Sequence, residues 1–131
     1  MTTALLLIAH GSRQEEANAD LRHVADGLRA RGWPIVAASF LELAEPRIEE
    51  GGARCVEQGA ELVILVPYFL SAGVHVHRDL SEARAKLAER FPEVLFRLAD
   101  PLGPHPLLLD VLAERAREAE SEGTDKTEPR P

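Results

Sequence analysis

Two uninterrupted apolar runs limit how this chain can fold. Ala4-Leu5-Leu6-Leu7-Ile8-Ala9 and Leu62-Val63-Ile64-Leu65-Val66-Pro67 carry no polar residue on either alternating face. Strands of that kind need cover on both sides, as in a parallel sheet between helices. A histidine follows each run, His10 at once and His75 after a short loop. If the two strands are neighbours, both imidazoles face one crevice at the carboxyl edge of the sheet, where open α/β folds bind their ligands.

The segments between the runs supply the helices. After the turn at Gly11-Ser12, residues 14–31 place Leu21, Val24, Ala25 and Leu28 at helical spacing and end at Arg29, Arg31 and Gly32. Past Trp33-Pro34, residues 35–41 read as a second strand. A helix is expected from Glu45-Pro46, with proline in the first turn, to about Gln58, with Gly59 as its stop. The third strand, residues 61–67, is rich in β-branched residues. A loop from Tyr68 to about Val76 then leads to a helix near 78–91 that Pro92 ends. Residues 93–98 form a fourth strand, and the turn-rich stretch 100–106 enters a last helix, 106–120. Residues 121–131 are polar with two prolines and read as a disordered tail.

The order is therefore βαβαβαβα in one domain, residues 1–120. Right-handed crossovers leave few topologies. We expect an α/β fold: an open, doubly wound, parallel four-stranded sheet of order 2-1-3-4 with helices on both faces. Its switch point lies between the first and third strands.

Composition excludes several classes of partner. A net charge of -7 argues against nucleic acid, which calls for a basic face. No apolar stretch approaches the ~20 residues that span a bilayer, and the N-terminus has no secretory pattern. The single cysteine, Cys55, allows no internal disulfide and fits a reducing compartment, the cytoplasm by default.

His10-Gly11-Ser12-Arg13 is the first chemical cluster. The glycine permits a tight turn and close approach to a ligand, and the backbone N–H groups with Arg13 can hold an anion. Neither phosphate-loop pattern is present, so a nucleotide has no support; Ser12 also lacks the nucleophile-elbow context. His10 either caps the turn or faces the crevice. The second cluster is Ser71-Ala72-Gly73-Val74-His75-Val76-His77-Arg78-Asp79. If residues 74–77 are extended, His75 and His77 share a face; if the helix has begun, they diverge. His77 on its own reads as solvated at a helix entry.

Four closed ligands of the kind a structural zinc needs are absent. The histidine spacing suggests instead an open, weakly held metal position. Glu42, after the second strand, either points into the crevice as a base or transient ligand or lies in water. His105, between Pro104 and Pro106, reads as structural or substrate-facing, His23 as solvated, and Cys55 as core.

Four stretches in order now carry a resemblance: His10-Gly11-Ser12-Arg13; Phe40-Leu41-Glu42-Leu43-Ala44-Glu45-Pro46; Pro67-Tyr68-Phe69-Leu70 running into Gly73-Val74-His75-Val76-His77-Arg78-Asp79; and Pro101-Leu102-Gly103-Pro104-His105-Pro106. Together they resemble the short-form sirohydrochlorin cobaltochelatases, class II tetrapyrrole chelatases, over residues 4 to about 118. Leu80-Ser81 stands where members often have Ile-Pro.

The resemblance implies ATP-independent insertion of a divalent metal, Co2+ or Fe2+ (Ni2+ is not distinguished), into sirohydrochlorin, in cobalamin or sirohaem biosynthesis. The metal is then a substrate, and no tightly bound cofactor is implied. His10 and His75 correspond to the family's metal-serving histidines, and larger members join two such halves, so a homodimer is expected. A neutral imidazole, ordinarily of pKa ~6.5, can accept a pyrrole proton and can also bind such metals. Glu42 is a candidate assistant. Ser12, Arg13, His77 and Arg78 are candidates for the substrate's carboxylates, and Tyr68, Phe69 and Leu70 for its apolar face. The rival readings are a non-catalytic metal or tetrapyrrole carrier using the same crevice, and a flavodoxin-like interaction domain with structural histidines.

Overall fold

The computed structural model describes residues 1–122. The elements alternate as β1 (Thr3–Ala9), α1 (Glu15–Ala30), β2 (Ile35–Phe40), α2 (Ile48–Glu57), β3 (Leu62–Pro67), α3 (Val74–Arg90), β4 (Leu95–Leu98) and α4 (Pro106–Glu120). All strand pairs are parallel and the order is β2-β1-β3-β4, as expected. The expected tail lies, from residue 123 on, outside the described residues.

β1 shows why its sequence is apolar throughout. Ala4, Leu6 and Ile8 point into the cluster under α2 and α3, with Val63, Leu65, Leu80, Leu87 and Phe96. Leu5 and Leu7 point the other way, onto Leu21 and Ala25 of α1 with Val36 and Phe40. Each fully buried leucine or isoleucine stabilises the fold by about 1.5–3 kcal/mol relative to an exposed one. A charge at Leu6, which is wholly buried, would break the sheet's centre.

Two helix boundaries differ from expectation. α2 starts at Ile48 rather than at Glu45-Pro46. The Pro46 carbonyl accepts a 2.9 Å hydrogen bond from the Phe40 amide, which ties residues 41–47 back to the end of β2 and delays the helix. α3 starts at Val74, several residues early, with Gly73 as its extended N-cap and a 2.9 Å bond from the His77 amide to the Gly73 carbonyl. The extended arrangement of 74–77 is thereby overturned. His75 and His77, turned about 200° from each other on the helix, diverge.

α2 lies tight against its neighbours because it carries glycines on its inner face. A Cβ on Gly51 would come within 2.9 Å of Leu6, and one on Gly52 within 2.6 Å of Leu87. α1 packs on β1 and β2 across the opposite face. α4 is different: it is begun by Pro106 and capped by His105, whose Nδ1 accepts from the Leu107 amide at 3.1 Å, yet none of its residues is buried.

Candidate functional site

The carboxyl ends of β1 and β2 stay paired past the strands. The Leu41 amide donates to the Ala9 carbonyl (2.9 Å) and the Glu42 amide to the His10 carbonyl (3.0 Å), which brings Glu42 beside His10. On the other side of β1, the Tyr68 amide donates to the Ile8 carbonyl at 2.7 Å. The chain then turns away at Gly11, whose φ is +95°; a Cβ there would sit 1.8 Å from the Glu42 carbonyl oxygen. Only glycine meets both demands.

Asn18 braces that turn from α1. Its Oδ1 accepts from the Ser12 amide (2.9 Å) and its Nδ2 donates to the Ser12 carbonyl (2.8 Å), while Ser12 Oγ accepts from the Gln14 amide (3.0 Å). Ser12's backbone N–H is therefore engaged by the protein itself. Asn18 was missed in the sequence, although the signal was there: a polar residue at helical spacing with Leu21 and Ala25 on a buried face.

His10 is solvent-exposed at the rim of this frame, and its ring lies against Phe69, centroids 4.6 Å apart and planes tilted by 41°. Phe69 itself is buried. A crevice of about 430 Å³ opens beside His10, walled by Leu41, Glu42, Arg47, Ile48 and Glu49 on one side and by Val76, Asp79, Glu82, Ala83 and Lys86 of α3 on the other. Four carboxylates face two cations there, so the crevice is acidic. Arg47 also steadies the segment after β2 through a 3.3 Å bond from its guanidinium to the Leu41 carbonyl.

His10 and Glu42 are thus brought to one crevice. His75 is exposed and heads a row on α3, with Asp79, Glu82 and Lys86 at successive steps of about one helical turn, but it does not line the crevice wall. Arg13, Tyr68, His77 and Arg78 are exposed outside it. Arg13 and Arg78 enter no ion pair among the described residues. Arg47, Glu49, Asp79, Glu82 and Lys86 were not foreseen as wall residues; the acidic row that follows His75 was the available clue. Among the described residues, no three His, Cys, Asp or Glu side chains are grouped so as to hold a metal ion. His105 caps α4, the structural role open to it. Cys55 is buried, and burial pushes its thiol up from the ordinary 9.0 to about 11. No helix is long and apolar enough to cross a membrane among the described residues.

Known proteins are similar to this chain in sequence and in fold. The chain is 39% identical over 112 residues to a protein of Arabidopsis thaliana named sirohydrochlorin ferrochelatase, chloroplastic, covering 85% of this chain and 50% of that one. It is 36% identical over 121 residues to a sirohydrochlorin cobaltochelatase of Sulfolobus acidocaldarius, covering 92% and 95%. Among solved structures, the sirohydrochlorin chelatase SirB of Bacillus subtilis subspecies spizizenii in complex with cobalt superimposes with a TM-score of 0.82 at 33% identity, over 90% of this chain and 51% of that one. The chain thus spans about half the length of the Arabidopsis and Bacillus proteins and nearly all of the Sulfolobus one. The model of the CbiX family matches residues 4–119, and the chain belongs to that family.

Proposed function

We propose that this chain inserts a divalent metal ion, Co2+ or Fe2+, into sirohydrochlorin without ATP, on the route to cobalamin or sirohaem. The metal is a substrate, and no tightly bound cofactor takes part. The observation that carries this reading is the placement of His10 at an acidic crevice walled by Glu42, Glu49, Asp79 and Glu82. Such a wall attracts a dication and repels a polycarboxylate.

The two substrates are therefore assigned to different places. The metal enters the crevice; the tetrapyrrole, with its eight carboxylates, lies across the mouth, where Arg13, His77 and Arg78 are exposed. Tyr68 and the Ser12 hydroxyl are candidates for its edge, and Phe69 acts through the His10 ring that it supports. Metallation requires the two pyrrole N–H protons to leave. The His10 imidazole accepts one, and Glu42, held next to it by the Glu42–His10 backbone bond, can take it onward. His10 and His75 hold the metal as it passes, and a site with few donors releases its ion more readily than a closed cage.

Two further points belong to the same reading. The chain works as a homodimer, in which a second copy stands where longer relatives carry additional sequence. Its lone, buried thiol suits the reducing cytoplasm.

The test is an absorbance assay of sirohydrochlorin with Co2+, Fe2+ and Ni2+ in turn, with and without protein. Catalytic turnover that His10→Ala and His75→Ala nearly abolish, with the fold retained, is expected. Stoichiometric binding without acceleration over spontaneous metallation would replace the enzyme with a carrier.

A further inference from the structure

Two polar side chains are buried among the described residues, Ser39 and Asn18. Ser39 serves the sheet itself: its hydroxyl donates to the Leu7 carbonyl of the neighbouring strand at 2.9 Å. Asn18 serves a loop. It is 4% exposed, on the face of α1 that also carries Leu21 and Ala25. A buried amide costs stability unless it is bonded, and asparagine is a poor helix former, so nothing in α1 itself calls for it.

Both ends of the Asn18 amide meet Ser12. Oδ1 accepts from the Ser12 amide at 2.9 Å, which fixes the peptide plane between Gly11 and Ser12. Nδ2 donates to the Ser12 carbonyl at 2.8 Å, which fixes the plane between Ser12 and Arg13. Peptide units are rigid, so two fixed planes set both backbone torsions of Ser12 and the direction in which Arg13 leaves the turn. The amide cannot turn over, because donor would then face donor and acceptor face acceptor. Glu15 reinforces that orientation: its carboxylate, held below the ordinary range first by Arg22, also accepts from Asn18.

His10 is supported separately. The Glu42 amide donates to its carbonyl at 3.0 Å and its ring lies on Phe69, both without Asn18. The turn therefore has two halves with different anchors, β2 and Phe69 for the imidazole and α1 for Ser12 and Arg13. Because the Ser12 N–H is taken, an anion at this turn must be bound by side chains. Arg13 is exposed there and enters no ion pair among the described residues.

We propose that Asn18 is a positioning residue for the tetrapyrrole: by fixing the peptide planes around Ser12 it aims the Arg13 guanidinium at a macrocycle carboxylate across the crevice mouth, and it takes no part in holding the metal. The inference rests on the placement of the two substrates proposed above. A guanidinium on a fixed backbone gives up less freedom on binding than one on a loose loop, so the brace acts on affinity.

The test titrates sirohydrochlorin by absorbance without metal, beside steady-state kinetics in which tetrapyrrole and Co2+ are varied separately. Asn18→Leu removes both bonds while filling the space, Asn18→Ala replaces it if leucine does not fit, and circular dichroism checks the fold. The tetrapyrrole dissociation constant and KM should rise about 10-fold, while kcat and the KM for Co2+ change less than about 2-fold. Ala25→Gly loosens α1 without touching the turn and should leave both KM values as they are. Arg13→Ala should weaken tetrapyrrole binding to a similar extent, and Asn18→Leu added to it should weaken it less than about 2-fold further, since changes acting through one contact do not add. Equal rises in both KM values, an unchanged tetrapyrrole dissociation constant, or full additivity with Arg13→Ala would overturn the positioning role. A protein whose tetrapyrrole binding depends on Asn18 but which does not accelerate metallation keeps the inference and loses the chelatase reading. One that metallates while Asn18→Leu binds normally does the reverse, and a wild type that binds no tetrapyrrole overturns both.

Discussion

Replacing Gly11 by alanine tests whether the crevice depends on one backbone position. The new Cβ would stand 1.8 Å from the Glu42 carbonyl oxygen and 3.2 Å from the Phe40 Cβ, with φ at +95°. Left-handed backbone costs a non-glycine residue about 1–2 kcal/mol. Moving Glu42 aside breaks its 3.0 Å bond to the His10 carbonyl, at about 1 kcal/mol. The sum is about 2–3 kcal/mol, out of the roughly 5–15 kcal/mol that holds a domain of this size together. With a urea slope of about 1–3 kcal/mol per molar, the unfolding midpoint should fall by about 1–3 M while the protein still folds in buffer. Metal insertion should fall with it, since the shift pulls Glu42 from His10. Gly27→Ala is the control. It lies in α1 with nothing within 4 Å of its Cβ, and should stabilise by about 0.5–1 kcal/mol. A Gly11→Ala protein with the wild-type midpoint, or a Gly27→Ala protein equally damaged, would refute the reasoning.

Asn18→Ala leaves the Ser12 amide and carbonyl without their partners, and urea titration should show a loss of about 2 kcal/mol. Phe69→Ala empties a buried site beside His10 and should cost about 3–5 kcal/mol in the same measurement. The Cys55 thiol, pushed up to about 11 by burial, should resist thiol reagents at pH 8 until the protein unfolds. Its effect on stability has a definite sign. The unfolded thiol ionises near 9.0 and the folded one near 11, so its contribution is complete below pH 9 and is lost as pH rises through 11. The loss is on the order of 2 kcal/mol, and comparison of wild type with Cys55→Ala at pH 8 and pH 10.5 should isolate it. An identical pH dependence in the two proteins would contradict the assignment.

The sequence by itself determined the sheet and one end of the site. Runs such as residues 4–9 can be satisfied only by cover on both faces, and right-handed crossovers then leave few topologies, of which order 2-1-3-4 was the one expected. His10 follows its strand without a gap and Gly11 turns the chain, so their place at the carboxyl edge was legible. The His10 neighbourhood was legible only in part, because Glu42 reaches it from the stretch after β2 and Asp79, Glu82 and Lys86 from α3, two segments far apart in the chain. The starts of α2 and α3 were set by the backbone bonds from Phe40 to Pro46 and from His77 to Gly73; the first joins a strand end to the following segment, which local pattern does not encode. α4 makes the same point most sharply. Its limits, residues 106–120, were readable, but that none of its residues is buried was not, because local pattern marks a helix and three-dimensional packing decides what covers it.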